Sequence, residues 1–533
     1  MRLCIAVAFL ALITPASAQQ KPAQSAPPGA SGVIRGVTRA ADTGRPLRGV
    51  EIRVDDPALS VINARFAVSD DNGRYEVRAL EPGRYAVTAS KTGFVTTAYG
   101  QRRADEAVRP VEVRSGSVSD GIDVSLQRGS VITARIVGRT GAGVPGLTVR
   151  PFEYSFVDGS RQLRPFFGPL GVTDDRGEAR LYGLPPGEYY LAARADRFRA
   201  IPDHGHVQTL YPGTATIEDA QPVRIGRSEE LSVTWPMMRM GRVRISGVIL
   251  DSNGAPVSNV PMQLRFDELA AFSSSDFSTG ADGSFSADDL TPGDYVVIAR
   301  SLQVSHPVRA VQNVTGLVIT AKKPVRLQGR VAVDGSVPPP RLTALTIRPV
   351  PPRPSLSGAP DSMSLPINAD GTFDTSGRFA AGVLQLPRAI TSAGWFLKSV
   401  KIDGRDAPEG AIDFDTVEGK QVEVVLTRQR GTVTGTTVDR RASPVADCTV
   451  VVFPAETAEW RPYTDRIAAT RPDQHGRFEM NGLPPGRYLI AVVETLRSGD
   501  ERNPVALEQL RGFATSLTLA DRETRAVSLR LDR

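Results

Sequence analysis

The stretch DDNGRYEVRALEPGRYAV, residues 70–87, decides the fold. It opens on a turn, Asp70-Asp71-Asn72-Gly73. Asp bonds readily to its own backbone there, and glycine takes the positive φ that a tight reversal needs. Tyr75 and Val77 then alternate with Arg74, Glu76 and Arg78. A period of two with one wet face predicts a half-buried strand of an antiparallel sheet. Pro82-Gly83 reverses the chain again, and Tyr85 leads the next strand.

The same pattern recurs as DDRGEARLYGLPPGEYYL (174–191), ADGSFSADDLTPGDYVV (281–297) and DQHGRFEMNGLPPGRYLI (473–490). A worn copy, ADGTFDTSGRFAAGVLQL (369–386), keeps Asp370-Gly371 and Phe373 but loses Pro-Gly-Tyr. Upstream of most copies stands a strand, a Gly/Pro hairpin and a strand: 34–54, 245–264 and 433–452. Downstream stands a closing strand, as in Ile122, Val124 and Leu126, or Val527, Leu529 and Leu531. Each repeat therefore holds roughly seven short strands in about 100 residues, enough for one core. The predicted fold is all-β: about five tandem Ig-like or transthyretin-like Greek-key β-sandwich domains after a signal peptide. Helix signals are nearly absent. Tyr85, Tyr189, Tyr295 and Tyr488 share one position, which suits a ring packed inward with its hydroxyl tied to backbone.

The expected division is a signal peptide at 1–18, a Pro/Ala/Gln-rich tether at 19–30, and sandwiches at 31–128, 129–240, 241–324, 325–429 (the divergent one) and 430–533. The stretch 338–360 is Pro-rich and reads as a long loop of the fourth sandwich. The joints are very short, which favours a stiff rod over loose beads.

Arg2, the apolar run Leu3 to Ile13 and the small-residue site Ala16-Ser17-Ala18 follow the order of a secretory signal, with cleavage between Ala18 and Gln19. The run is too short for a membrane span, and no later segment approaches the necessary length. The expected location is periplasmic or cell-surface. Cys4 leaves with the signal, so Cys448 stands alone and no internal disulfide is available. It lines up with Val50, a core-facing position, and reads as a small buried hydrophobe. The net charge of +6 is spread along the chain without a basic stripe, which argues against nucleic acid.

These units resemble the carboxypeptidase regulatory-like domain, a transthyretin-like sandwich close to the carbohydrate-binding (starch-binding-like) fold. The hairpin-strand half and the D-x-x-G-x-[YF]…L-P-P-G-x-Y half carry the resemblance over most of the chain. The resemblance implies the fold, with carbohydrate binding as a borrowed function. It implies no peptidase activity, because no zinc-peptidase domain accompanies the units.

Searching for chemistry yields little. The four histidines are His204, His206, His306 and His475, without H-x-x-E or H-E-x-x-H spacing. His204-Gly205-His206 reads as a polar loop and His475 as a turn residue. Gly141 to Gly146 matches G-x-G-x-x-G literally, yet it overlays the hairpin Gly44 to Gly49 and lacks the helix that would cradle a phosphate. Asp70-Asp71 and Asp174-Asp175 offer too few oxygens for a hard cation and read as turns, with calcium left open. No catalytic, cofactor or metal residue is assigned.

Sugar binding needs aromatic faces outside the core. Trp235 is in register with a closing strand, so it reads as core, and Trp395 is ambiguous. Trp460 and Tyr463 lie in a polar, Pro-interrupted connection; Tyr154, Phe156 and Phe166 lie in an insertion of the second unit. Both sets read either as ligand-binding aromatics or as lids folded onto their own sandwiches. The expected function is an exported, non-catalytic interaction and scaffold protein that presents loops to a glycan or an envelope protein. The alternatives are a carbohydrate-binding module array and an accessory subunit of a separately encoded hydrolase. No oligomeric state follows from the sequence.

Overall fold

The computed structural model describes residues 31–531 apart from 56–63, 158, 167, 169, 196–207, 240, 267–273, 291, 303, 324, 337, 339, 350–362, 378–381, 388–389, 392 and 408–411. The signal, its cleavage site at Ala18-Gln19, the tether, His204-Gly205-His206 and most of the Pro-rich loop lie outside the described residues.

Strands dominate, and among the described residues they form ten sheets that fall into five consecutive pairs along the chain. We call each pair a unit and keep the boundaries above as our proposed division. In unit 1 the opening strand Gly32–Ala40 lies beside the turn strand Arg74–Leu80 and the closing strand Val124–Leu126. The facing sheet joins Glu51–Asp55 to the strand that carries the corner tyrosine, Gly83–Ser90. Ile34, Val50, Ile52, Tyr75, Val77 and Leu126 meet between the two sheets. Each such aliphatic side chain contributes roughly 1.5–3 kcal/mol when fully buried. Clusters of the same kind fill the other four units.

The alternation read from the turn strand is realised: Arg477–Leu483 runs exposed, buried, exposed, buried from its first residue. The corner is realised too. The Tyr85 hydroxyl donates to Glu81 O at 2.9 Å, Tyr189 to Pro185 O at 2.9 Å and Tyr488 to Pro484 O at 2.7 Å.

The sheets are not purely antiparallel. In every unit the closing strand runs parallel to the opening strand. It returns from the facing sheet by a crossover, so it enters in the direction of the first strand. Gly36, Gly247, Gly329 and Gly435 make that approach close: a Cβ on any of them would overlap a carbonyl oxygen of the incoming chain. A helix, Pro504–Arg511, also stands in unit 5. Asn503 caps it by accepting from Val505 N at 3.0 Å, and Pro504 fills its first turn.

Unit 4 departs from the plan where its sequence loses Pro-Gly-Tyr. Elsewhere the tyrosine-bearing strand has neighbours on both sides, as Gly486–Val493 has Thr449–Pro454 and Thr515–Leu519. Its equivalent in unit 4, Gly382–Gln385, pairs with Ala344–Pro349, and on its other side the described residues show one bridge, Gly382 with Ile412. The chain crosses instead to the other sheet, where Phe396–Ile402 joins the closing strand Gln421–Thr427. Beyond that bridge, no second strand flanks Gly382–Gln385 among the described residues.

The rod is corrected. Unit 5 folds back to touch units 1, 2 and 4, with the Arg471–Glu106 ion pair joining segments 365 residues apart. Units 2 and 3 share a buried cluster in which Phe152, Ala192 and Leu210 of unit 2 meet Val260, Met262 and Leu302 of unit 3. Short joints hold neighbours together, but they let the path turn.

Candidate functional site

The connection between Thr449–Pro454 and Ala468–Thr470 of unit 5 is the place where three units meet. The chain leaves the sheet at Pro454 and makes a 3-10 turn over Thr457–Glu459. The Trp460 indole folds back, donating from Nε1 to Pro454 O at 3.0 Å and meeting the Phe453 ring edge-on at 5.9 Å. It is half-buried, not free. Its remaining face, with Thr457, Pro504, Val505, Glu508 and Gln509, lines an open depression of about 660 Å³. Tyr463 takes a left-handed φ of 60° and is buried.

The insertion of unit 2 is a long hairpin, with Ser160–Pro165 paired to the outer half of Leu147–Val157. Tyr154 is half-buried, edge-on to Tyr190 at 5.5 Å, with the Arg161 guanidinium 3.7 Å over its ring. Phe166 packs edge-on against the corner Tyr189 at 5.7 Å. Phe156 is half-buried, and its carbonyl abuts Gly499 of unit 5. At the hairpin tip, a methyl on Gly159 would lie 3.6 Å from Pro462 Cα. The two aromatic sets, about 300 residues apart, are thus brought to one junction. Their rings there serve as packing as much as display.

On the other side of this connection a cleft of about 710 Å³ opens between units 4 and 5. Its unit 4 wall includes Val383, Leu384 and Gln385 of the strand Gly382–Gln385. Arg348 donates from Nε to Gln385 Oε1 at 2.5 Å and stands 5.7 Å over the Tyr463 ring. Arg430, only 8% exposed in its side chain, donates to the Leu397 carbonyl and to Asp465 Oδ2, the latter at 3.0 Å. Arg348 Nη1 and Arg430 Nε are both buried without an acceptor. Asp465 is closely surrounded, and burial raises its carboxyl pKa against the pull of Arg430 and Arg466; about half its side chain (55%) still meets water. Arg466 is held by Glu459 at 3.3 Å, and Lys398 by Asp334 at 2.7 Å.

The opposite face of unit 5 is clasped to unit 1. Arg471 and Glu106 are 2% and 4% exposed in their side chains and pair at 3.4 Å. Arg471 Nη1 also donates to Gly100 O at 2.6 Å, and Glu106 Oε2 accepts from Arg102 N at 2.9 Å. Asp447 pairs with Arg102 at 2.9 Å and with Arg109. Burial pushes the Asp447 carboxyl up, but the two guanidiniums outweigh it and hold its pKa below the usual value. Arg497 meets Asp105 at 2.8 Å, Arg102 meets Glu494 at 2.9 Å and Arg477 meets Glu112 at 3.4 Å.

Other residues singled out from the sequence take structural positions. Asp70 Oδ1 accepts from Asn72 N and Arg74 N, and Asp473 Oδ1 accepts from His475 N and Arg477 N, as turn residues do. Trp235 is 1% exposed and Trp395 is 5% exposed. Cys448 is fully buried, and burial raises its thiol pKa. Gly141 and Gly146, both at positive φ, bend a hairpin. Sequence reasoning missed Arg348, Arg430 and the whole clasp.

Residues 33–127 match the family model of the carboxypeptidase regulatory-like domain. Unit 1 is thus of the family that its motif resembles. No curated protein matches the chain. Among solved structures, a streptococcal ancillary pilin is 12% identical over 55% of this chain and 99% of its own, with a TM-score of 0.22. GBS52, a minor pilin of Streptococcus agalactiae, is 17% identical over 40% and 97%, at 0.23. Catechol 1,2-dioxygenase from Acinetobacter is 16% identical over 20% and 55%, at 0.14. Likenesses this low carry no functional argument.

Proposed function

We propose that this chain is an exported, non-catalytic scaffold whose units are packed together so that one junction presents loops to a glycan or an envelope protein. The observation that supports this most is the convergence of the Trp460–Tyr463 connection, the unit 2 hairpin and the unit 4 cleft at one place. The export half of the reading rests on the signal pattern of residues 1–18. A pulldown from envelope extract with the purified chain is expected to retain a protein or glycan partner, and hydrolase activity in the same preparation would overturn the reading.

The second reading, a carbohydrate-binding module, is favoured by the open face of Trp460 beside Pro504 and Val505. A pyranose stacks its C–H face on such a ring. Selective retention on a glycan array, abolished by Trp460→Ala with the melting transition of the other units unchanged, is the expected signature. Retention that survives the substitution contradicts it.

A further inference from the structure

We propose that the cleft between units 4 and 5 binds a saccharide bearing a single carboxylate, a uronate, with Arg348 and Arg430 as its anion-binding pair. The inference rests on the non-catalytic binding role above and names the ligand class for one of the two sites at that junction.

Three observations converge on it. Two arginines that line the cleft each carry a guanidinium N–H buried without an acceptor, Arg348 Nη1 and Arg430 Nε. A buried donor left unmade costs more than a made hydrogen bond gains, so an oxygen anion that these side chains turn to meet relieves a standing penalty. Four arginines line the cleft (Arg348, Arg430, Arg461 and Arg466) against three carboxylates, Asp406, Glu459 and Asp465. Lys398, which also lines it, is already answered by Asp334. One negative charge balances the set, and guanidinium is the side chain best shaped to take a planar carboxylate. The volume of about 710 Å³ falls within the usual range for small-ligand sites, about 300–1,000 Å³.

The carboxylates select the rest of the ligand. A polyanionic peptide would face Glu459 and Asp465 at close range. A sugar carries one carboxylate among several hydroxyls, and those hydroxyls need the acceptors that these side chains supply.

The test is calorimetric titration of the purified chain with the methyl glycoside of galacturonate, which carries one carboxylate, with its methyl ester and with hexaglutamate, at low salt. The glycoside is expected to bind, with the ester weaker by about tenfold or more, as loss of a charge-assisted pair requires. Arg348→Gln is expected to weaken the glycoside by a similar factor, whereas Asp465→Asn, which removes a competing anion from Arg430, is expected to tighten it. These opposite signs guard against a variant that merely unfolds. Equal binding of acid and ester, no response to either substitution, or tighter binding of hexaglutamate than of the glycoside would overturn the proposal. A partner captured from envelope extract while the glycoside fails removes this inference and leaves the scaffold reading standing; failure of both removes both.

Discussion

Unit 5 touches its neighbours through two arginine-rich faces that differ in what is left over. Against unit 1, five guanidiniums (Arg102, Arg109, Arg471, Arg477 and Arg497) meet five carboxylates (Asp105, Glu106, Glu112, Asp447 and Glu494). The atoms left without partners there are one donor and one acceptor, Arg109 Nε and Glu106 Oε1. Against unit 4, both leftovers, Arg348 Nη1 and Arg430 Nε, are donors. The first face is internally balanced and acts as a clasp. The second lacks an acceptor and acts as an open site. The same side-chain chemistry becomes structure or recognition according to whether the protein supplies its own counter-charge.

The harshest way to break this contrast is to empty one half of the buried pair. Glu106→Ala removes the nearer and buried carboxylate from the Arg471 guanidinium, leaving it only Asp447 at 3.9 Å, and breaking a buried pair typically costs about 3–5 kcal/mol. The expected result is release of unit 5 from unit 1, read as a larger radius of gyration by solution scattering, with all five cores still folded.

Asp447→Asn comes next. Asp447 answers Arg102 and Arg109 but is 42% exposed, so solvent screening holds the loss to about 1 kcal/mol. Its folded pKa lies below the unfolded value of about 3.9. The clasp therefore keeps this contribution above that value and loses it as pH falls through the lower, folded one. Asp465 works with the opposite sign. Its folded pKa is raised, so the folded state takes up a proton first, and stability contributed at the cleft increases as pH falls toward the ordinary carboxylate range. Asp465→Asn is accordingly expected to be neutral or stabilising at pH 7 where Asp447→Asn destabilises. Thermal melts of both variants from pH 7 to pH 3 check the pair, and equal effects of the same sign would dissolve the contrast.

The mildest change tests the frame that holds both faces. Tyr488→Phe deletes the 2.7 Å hydrogen bond to Pro484 O in the corner beside the cleft. A loss of about 1 kcal/mol is expected. A melt of the variant should show only the transition of unit 5 displaced.

The sheets were legible because their causes are local. Tyr75 and Val77 are buried because the pleat puts alternate residues on one face. Tyr488 ties to Pro484 four residues away, within a single motif. Even the departure of unit 4 was foreshadowed by the missing Pro-Gly-Tyr at 369–386, although the consequence, a strand bridged on its second side at Gly382, required the topology. Pro504–Arg511 carried its own signal in Asn503-Pro504 and was overlooked beside the strand pattern. The clasp had no such signal. Glu106 and Arg471 sit in ordinary charged loops, and no period connects them. Arg430 stood at an expected unit joint, where an arginine reads as solvated linker until the neighbouring unit is seen to cover it. The aromatics of both insertions were noticed from their place in the chain; Tyr154, Phe166 and Trp460 pack on their own units, whereas the approaches of Phe156 to Gly499 and of Gly159 to Pro462 cross between units and had no signal.

The claim on which the rest depends is that the chain closes on itself through unit 5. Small-angle scattering of the purified chain at pH 7 tests it directly. Packed units predict a radius of gyration of about 25–30 Å, slightly above the compact-globule scaling, whereas five units end to end give about 50 Å. A value near the smaller figure that rises in Glu106→Ala is the predicted result; a value near the larger one in the unaltered chain would contradict the account.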